Sequence, residues 1–391
     1  MDRHIAHIEL YHAALNRRFT PGSEIRQALR AIAWRHFPLR KGRIWITSLV
    51  PRPFHVPPML RAITLVIIAS VSLAGQAPDA PAVWFSAQSP WNTPIGDATV
   101  AAYSAAAMEA YLARGHSINM NWGSAGVAVI YPGADERRAL QFAGAGFDRW
   151  SIPDVPISRA LMMAASYRLA QRNTDGMTCV VDTERKRFLS FWQPRPSDDG
   201  IAITTGGITP FGGVGWSLIG SQLPSLGRAA GATYCGGLIR EAEMRHGEIR
   251  HALALAWTKD LIRGPGSGPG LVQYPAMYSD GSGSAHATIP MGARIQLDPA
   301  LSDAALTALG LSPPADLIIA HALQRYGGYV VDSNSATMGG SIYFESRQDK
   351  GAAVYAATNP WPIAVIARMN FVTAPKPVPL DTQAPDRLVM P

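Results

Sequence analysis

Short apolar runs separated by clusters of turn-forming residues constrain the fold of this chain more than any other feature. With 36 glycines and 31 prolines among 391 residues, few segments can continue as long helices. The stretch MTCVVDTERKRFLSFWQ predicts a hairpin, with a first arm at Thr178–Asp182 and a second arm that alternates from Phe188 to Trp192. We therefore expect a mainly β protein, a single β-sandwich or jelly-roll-like domain with short helical insertions. The alternative is an α+β fold.

Other segments have patterns that predict single elements. Period-two alternation in EIRHALALA predicts a strand that places His251 in an apolar row with Ile249 and Leu253. The runs GYVVD and SIYFE predict two more strands, and PADLIIAHALQRYG predicts a helix that begins at a proline and ends at Gly327. By contrast, GGITPFGGVGWSLIG is so rich in glycine that we expect a broad loop.

The segment MLRAITLVIIASVSLAGQAPDAPA is typical of a secretory signal. Arg61 is followed by an apolar core, residues 63–73, that is too short to span a bilayer, and then by a small-residue cleavage site. We expect residues 59–77 to be this signal, and the protein to be secreted or periplasmic with no stable membrane span after cleavage.

The signal divides the chain into parts with different charge. The net charge of +7 resides in residues 1–58, which we interpret as an upstream extension outside the fold, and the rest is nearly neutral. A neutral body excludes a general phosphate-binding surface, so no nucleic-acid partner is expected. Residues 78–372 are expected to form one β-rich catalytic or binding domain, and residues 373–391 a proline-rich tail.

Cys179 and Cys235 are the two cysteines of the chain. An exported compartment permits a disulfide, but the sequence leaves open whether they pair or remain buried thiols. Two cysteines without a third ligand at suitable spacing do not indicate a zinc site. We predict no metal and no cofactor.

Five blocks stand out along the chain: SPWNTPI, GGLIREAE followed by HALALA, SDGSG, IPMGARIQLDP and LQRYGGYVVD. Together they resemble the recurring blocks of a group of secreted, functionally uncharacterised bacterial proteins, and they span Ser89 to Asp332. The resemblance implies an exported enzyme or binding protein. It assigns no catalytic residue.

Asp182 and Asp332 each end a valine-rich run, in CVVD and YVVD, so each is placed to project from a sheet edge. Glycoside hydrolysis uses two carboxylates, one that donates a proton and one that attacks or activates water. We therefore predict Asp182 and Asp332 as catalytic, with Glu243 in reserve. The alternative for each aspartate is that it caps the next turn by accepting backbone hydrogen bonds.

His251 is the fourth catalytic candidate, because an imidazole in an apolar row needs a partner. We expect a carboxylate or tyrosine hydroxyl beside it at the edge of a cleft; the alternative is a closed core with backbone partners only. In a uronate lyase, His251 is the base, Tyr326 or Tyr329 the proton donor, and Arg240 or Arg294 the cation that neutralises the substrate carboxylate.

Aromatic residues near glycine-rich loops suit a glycan cleft, because sugar C–H faces stack on flat rings. We predict Trp192, Trp216, Tyr326, Arg240 and Asp280 as substrate-binding. The favoured hypothesis is an exported carbohydrate-active enzyme, a glycoside hydrolase acting on an extracellular polysaccharide. The alternatives are a polysaccharide lyase and a non-catalytic glycan-binding or cell-surface module, so enzymatic activity itself stays an open question.

Overall fold

The structure is a computed structural model. It describes residues 83–143, 151–163, 175–197, 200–217, 226–265, 270–284, 288–346 and 355–374. The predicted extension and signal lie outside the described residues, as does the predicted tail beyond residue 374.

The described residues form fourteen strands. These are β1 Ile118–Asn121, β2 Ala128–Ile130, β3 Arg137–Phe142, β4 Ser151–Pro156, β5 Thr178–Asp182, β6 Arg187–Trp192, β7 Arg195–Ser197, β8 Gly200–Ile203, β9 Thr205–Pro210, β10 Leu253–Thr258, β11 Arg294–Leu297, β12 Gly328–Asn334, β13 Gly340–Tyr343 and β14 Met369–Val372. The α-helices are α1 Ser104–Leu112, α2 Glu241–His246, α3 Asp303–Ala308, α4 Ala315–Arg325 and α5 Ile363–Ile366, and a 3₁₀-helix spans Lys259–Leu261. The mainly β class with short helices is confirmed.

The strands are arranged in three sheets. One has the order β1-β13-β10-β12-β11-β14, the second β2-β5-β6-β9 and the third β4-β3-β8-β7. Each contains a parallel pair: β10 with β12, β2 with β5, and β3 with β8. Parallel neighbours need long crossover connections, so local patterns alone did not distinguish these mixed sheets from the layers of a sandwich.

The predicted hairpin is confirmed, with β5 and β6 paired antiparallel from Thr178↔Phe191 to Asp182↔Arg187. All five residues of β5 are buried, because the sheet has a core on each face. Cys179 and Val181 belong to the larger core, whereas Val180 belongs to a smaller one. Successive side chains of a strand point to opposite faces, so both cores are filled by one strand.

The glycine-rich segment was wrongly predicted to be a loop throughout, because strand β9 occupies its start. A Cβ atom on Gly206 would lie 2.2 Å from the carbonyl oxygen of Ser190 on the neighbouring strand. This glycine therefore permits close backbone approach inside a sheet.

The prediction of a strand through His251 was also wrong, because β10 begins at Leu253. Helix α2 ends at Gly247, whose φ of 80° is the left-handed conformation common at helix ends. His251 therefore lies in the connection between α2 and the central strand β10, and not on a strand face.

Cys179 and Cys235 form a disulfide with a Cα–Cα distance of 5.1 Å, which answers the question left open by the sequence. The bond joins β5 to the segment that leads into α2. Within the described part of the chain, we find no helix with the length and apolar character needed to cross a membrane.

Candidate functional site

Asp332 lies on β12, just after an irregularity in the pairing with β10. Leu255 pairs with Val330 but Ala256 pairs with Asp332, so β12 has one extra residue at this point. Such bulges change the direction of the side chains that follow and are common beside active sites. Asp332 is therefore presented by an interruption of the central sheet.

Arg228 and the Ala229 N–H hold the carboxylate of Asp332 by hydrogen bonds. Its Oδ2 accepts from Arg228 Nη1 at 2.6 Å, and its Oδ1 accepts from the backbone N–H of Ala229 at 2.9 Å. The Arg228 guanidinium stacks over the rings of Tyr343, 4.2 Å from the centroid, and Tyr234, 5.0 Å away. The Arg228 side chain is fully buried, whereas that of Asp332 is 15% exposed.

Burial raises the pKa of Asp332 to about 6, although the charge of Arg228 and the Ala229 N–H lower it. The negative charge of Asp280 contributes to the rise. Burial also raises the pKa of Tyr234 and Tyr343 well above 10, so both phenols keep their protons at neutral pH. Asp332 can therefore exchange a proton in weakly acidic solution.

Asp280 is held next to this strand by a set of hydrogen bonds between three segments. Ser333 Oγ donates to Asp280 Oδ2 at 2.7 Å. The Ala230 N–H donates to the Val331 carbonyl at 2.9 Å, and the Met277 N–H donates to the Ala230 carbonyl at 2.9 Å. The exposed carboxylate of Asp280 is thus fixed near the more buried Asp332.

A second cluster forms around Glu243 on α2. Its Oε1 accepts from Arg240 Nη2 at 2.5 Å, its Oε2 accepts from the Arg240 backbone N–H at 3.0 Å, and His251 Nε2 lies 3.0 Å from Oε1. The expected carboxylate partner of His251 is therefore confirmed. Burial favours a raised pKa for Glu243, but the charges of His251 and Arg240 outweigh it and lower the pKa to about 2.

The ring of His251 is engaged on both sides, because its Nδ1 lies 2.9 Å from the Ala252 carbonyl oxygen. Both partners are acceptors, so the two bonds form together when both ring nitrogens carry protons. His251 and Arg240 line a small pocket together with Trp84 and Trp91. His251 therefore lines a pocket, as expected, but both of its ring nitrogens already have hydrogen-bond partners within the protein.

Glu243 and His251 have different bonding partners from Asp332. Glu243 binds both Arg240 and His251, whereas Asp332 binds Arg228 and the Ala229 N–H. The structure therefore brings Glu243 and His251 together and leaves Asp332 in a separate cluster.

Asp182 lies in a third environment. Its side chain is fully buried, and Oδ2 accepts from Arg137 Nη2 at 2.5 Å and from Arg187 Nε at 3.0 Å. Its Oδ1 accepts from the backbone N–H of Arg185 at 3.3 Å, which is the turn-capping alternative that the sequence allowed. The predicted pair of Asp182 and Asp332 is not assembled, since the two carboxylates lie on different sheets and bind different arginines.

Two predicted aromatic ligands of a substrate belong to the core. Trp216 is 2% exposed and stacks on Trp91 with 4.9 Å between ring centroids, and Tyr326 is also buried. Trp192 is half-buried on β6.

The two predicted cationic ligands are buried too. Arg240 stacks over Trp84 at 4.4 Å besides binding Glu243. Arg294 donates to the carbonyl oxygens of Tyr326, at 3.0 Å from Nε, and of Thr93, at 2.5 Å from Nη2. Each guanidinium is therefore part of the internal structure.

Sequence reasoning missed Arg228, Tyr234 and Tyr343, which surround Asp332. Arg228 is 104 residues from Asp332 in the chain, so no local spacing could connect them. In the part of the chain that the structure describes, no group of three or more His, Cys, Asp or Glu side chains is arranged to hold a metal ion. Comparison with protein-family models, curated proteins and solved structures finds no match to this chain.

Proposed function

We propose that the protein is an exported carbohydrate-active enzyme, a glycoside hydrolase in which Asp332 donates the proton and Asp280 is the second carboxylate. The observation that supports this most is the raised pKa of Asp332, about 6, beside an exposed carboxylate. Glycoside hydrolases depend on two carboxyl groups whose environments separate their pKa values. Asp280 takes the place that the sequence assigned to Asp182.

In this mechanism Asp332 transfers its proton to the glycosidic oxygen while the bond from that oxygen to the anomeric carbon breaks. Water supplies the hydroxyl group to the anomeric carbon, and its remaining proton passes to Asp280. Arg228 and the Ala229 N–H stabilise Asp332 after it has lost its proton. Proton exchange with solvent then restores both carboxyl groups, so the net reaction is hydrolysis.

The lyase alternative has less support from the geometry. It assigns base chemistry to His251, whose two ring nitrogens are both engaged. It also needs a cation for the substrate carboxylate, whereas Arg240 and Arg294 are buried among internal partners. Tyr329, a proton donor in that hypothesis, is fully buried, and burial raises its pKa to about 12, which makes it a weaker acid.

Export remains part of the proposal. The disulfide between Cys179 and Cys235 supports it, because such bonds form and persist mainly in oxidising compartments. A secreted or periplasmic location and an extracellular polysaccharide substrate fit the signal pattern in the sequence.

The test is a screen of the purified protein against a panel of polysaccharides for new reducing ends. We expect hydrolysis of at least one polymer, and loss of that activity in Asp332→Asn and Asp280→Asn. The matched control is Asp303→Asn, an exposed aspartate that binds His321 on α4. Full activity of Asp332→Asn would contradict the proposal, and unsaturated, ultraviolet-absorbing ends would favour the lyase.

A non-catalytic glycan-binding module is the second candidate. It is favoured by the separation of the acidic candidates, since Asp182 and Glu243 are bound in ion pairs away from Asp332. This candidate predicts retention on a polysaccharide matrix without new reducing ends, and equal retention of Asp332→Asn and the unchanged protein.

A further inference from the structure

Tyr278 stands out among the surface side chains of the described residues. Six large hydrophobic residues are exposed there, and Tyr278, at 38% exposure, is the aromatic one. The other large aromatic side chains near Asp332, namely Tyr234 and Tyr343, are buried beside Arg228. An aromatic ring exposed on the loop that carries Asp280 is available for contact with a ligand.

The position of Tyr278 connects it with both carboxylates. It precedes Asp280 by two residues on the same loop. Its ring contacts the turn at Gly231, where an added Cβ atom would lie 3.4 Å from Tyr278 Cδ2. The same turn supplies Arg228 and the Ala229 N–H to Asp332, and the Gly231 N–H donates to the Arg228 carbonyl at 2.9 Å.

We infer that Tyr278 is the aromatic platform on which a sugar ring of the substrate stacks next to the Asp332–Asp280 pair. This inference rests on the proposed function. A pyranose ring presents a flat face of C–H groups that packs on an aromatic ring. The ring is held by the segments that hold the carboxylates, so stacking would set the position of the glycosidic bond between them.

The charges nearby indicate the class of glycan. Asp280 and Asp175 are exposed, and both act electrostatically on this cluster: Asp280 on Asp332, and Asp175 on Tyr234 and Tyr343. Negative surface charge repels a polymer that carries carboxylates. The inferred substrate is therefore a glycan without uronate carboxylates at the rings that flank the cleaved bond.

The experiment compares Tyr278→Ala, Tyr278→Phe and Tyr278→Trp on the polymer that the panel identifies. We expect Tyr278→Ala to raise KM about 3- to 10-fold with kcat within about 2-fold, the size of a lost stacking contact. The phenylalanine and tryptophan variants should keep KM near that of the unchanged protein. Met338→Ala, which alters another exposed hydrophobic side chain, is the control and should have no effect.

Retention of the Asp332→Asn protein on immobilised polysaccharide provides a readout that does not need turnover. Adding Tyr278→Ala should weaken this retention, and a uronate polymer should be retained less than a neutral one. An unchanged KM in Tyr278→Ala, with activity still abolished by Asp332→Asn, would overturn the platform and leave the hydrolase intact. Equal losses in Tyr278→Ala and Tyr278→Phe would also overturn it, since they would assign the effect to the hydroxyl. Full activity of Asp332→Asn would instead contradict the proposed function itself.

Discussion

Glu243 and Asp332 are two sheltered carboxylates beside an arginine, yet their pKa values move in opposite directions. The pKa of Glu243 falls to about 2, whereas that of Asp332 rises to about 6. Their side chains have similar exposure, 9% and 15%. The amount of burial therefore does not explain the difference.

The difference comes from the charged neighbours. Glu243 lies between Arg240 and His251, and these charges outweigh the cost of burial. Asp332 has Arg228 as its bonded cation, and Asp280 adds a negative charge nearby. A carboxylate bound by both an arginine and a histidine is held as a structural anion, whereas one with a single arginine and an acidic neighbour can gain and lose a proton near pH 6.

The largest expected effect is on turnover. Asp332→Asn should lower kcat by on the order of 10²- to 10⁴-fold, the range that a positioned proton donor contributes. The amide oxygen can keep one of the two hydrogen bonds, from Arg228 or from Ala229, so the loss is expressed per folded protein. Reducing-end assays on the active polymer measure the loss, and Glu243→Gln should keep the specific activity of its folded fraction.

The next effect is on stability at the other carboxylate. Glu243→Gln removes the charge that Arg240 and His251 share, and loss of one partner from a buried ion pair costs about 3–5 kcal/mol. Urea denaturation at neutral pH measures it. The control is Glu248→Gln, which alters a solvent-exposed pair with Arg250 and should change the free energy of unfolding far less. Equal effects of the two variants would show that Glu243 is not a structural anion.

The disulfide should have a somewhat smaller effect. Replacing Cys179 and Cys235 together by alanine should lower the free energy of unfolding by about 2–4 kcal/mol, because the bond closes a long loop. Cys235 follows Tyr234, so the same variant tests whether the bond supports the Asp332 cluster. Denaturation curves with and without a reducing agent measure the stability, and an unchanged curve on reduction would contradict the expectation.

The smallest effect is a difference in pH dependence. Because the pKa of Glu243 is lowered from 4.5 to about 2, its stabilisation is complete above pH 4.5 and is lost as the pH falls toward 2. Because the pKa of Asp332 is raised from 3.8 to about 6, its contribution is complete below pH 3.8 and is lost as the pH rises through 6. The measurement is the difference in melting temperature between the unchanged protein and each variant across this pH range. The difference for Glu243→Gln should grow as the pH rises, and the difference for Asp332→Asn should shrink. If both differences changed in the same direction, the contrast between the two carboxylates would be contradicted.

Local sequence patterns predicted the elements whose neighbours are close in the chain. The β5–β6 hairpin and helix α4 were correct, because turn residues and periodicity define them directly. Strand β9 was missed because Gly206 serves close packing against Ser190, which a local pattern cannot distinguish from a flexible turn. His251 was placed on a strand because alternation continued across residues that precede β10.

The candidate site was predictable only in part. Asp332 and Asp280 were found because one ends an apolar run and the other lies in a glycine-serine loop. Arg228 was not, since it lies 104 positions before Asp332 and their contact depends on the fold of the chain between them. Asp182 was favoured for the same strand-end pattern as Asp332. Arg187, which binds it, is its partner in the predicted β5–β6 hairpin, whereas Arg137 comes from β3 and could not be assigned to it from sequence.

The central claim is that Asp332 exchanges its proton near pH 6, and a titration of its side-chain carboxyl carbon tests this without any substrate. Protein labelled with ¹³C at aspartate carboxyl carbons is followed by NMR from pH 3 to 8, and Asp332→Asn identifies the signal by its loss. We expect a midpoint at about pH 6 for Asp332. A midpoint at or below the ordinary aspartate value of 3.8 would contradict the account, because Asp332 would then be an anion with no proton to donate.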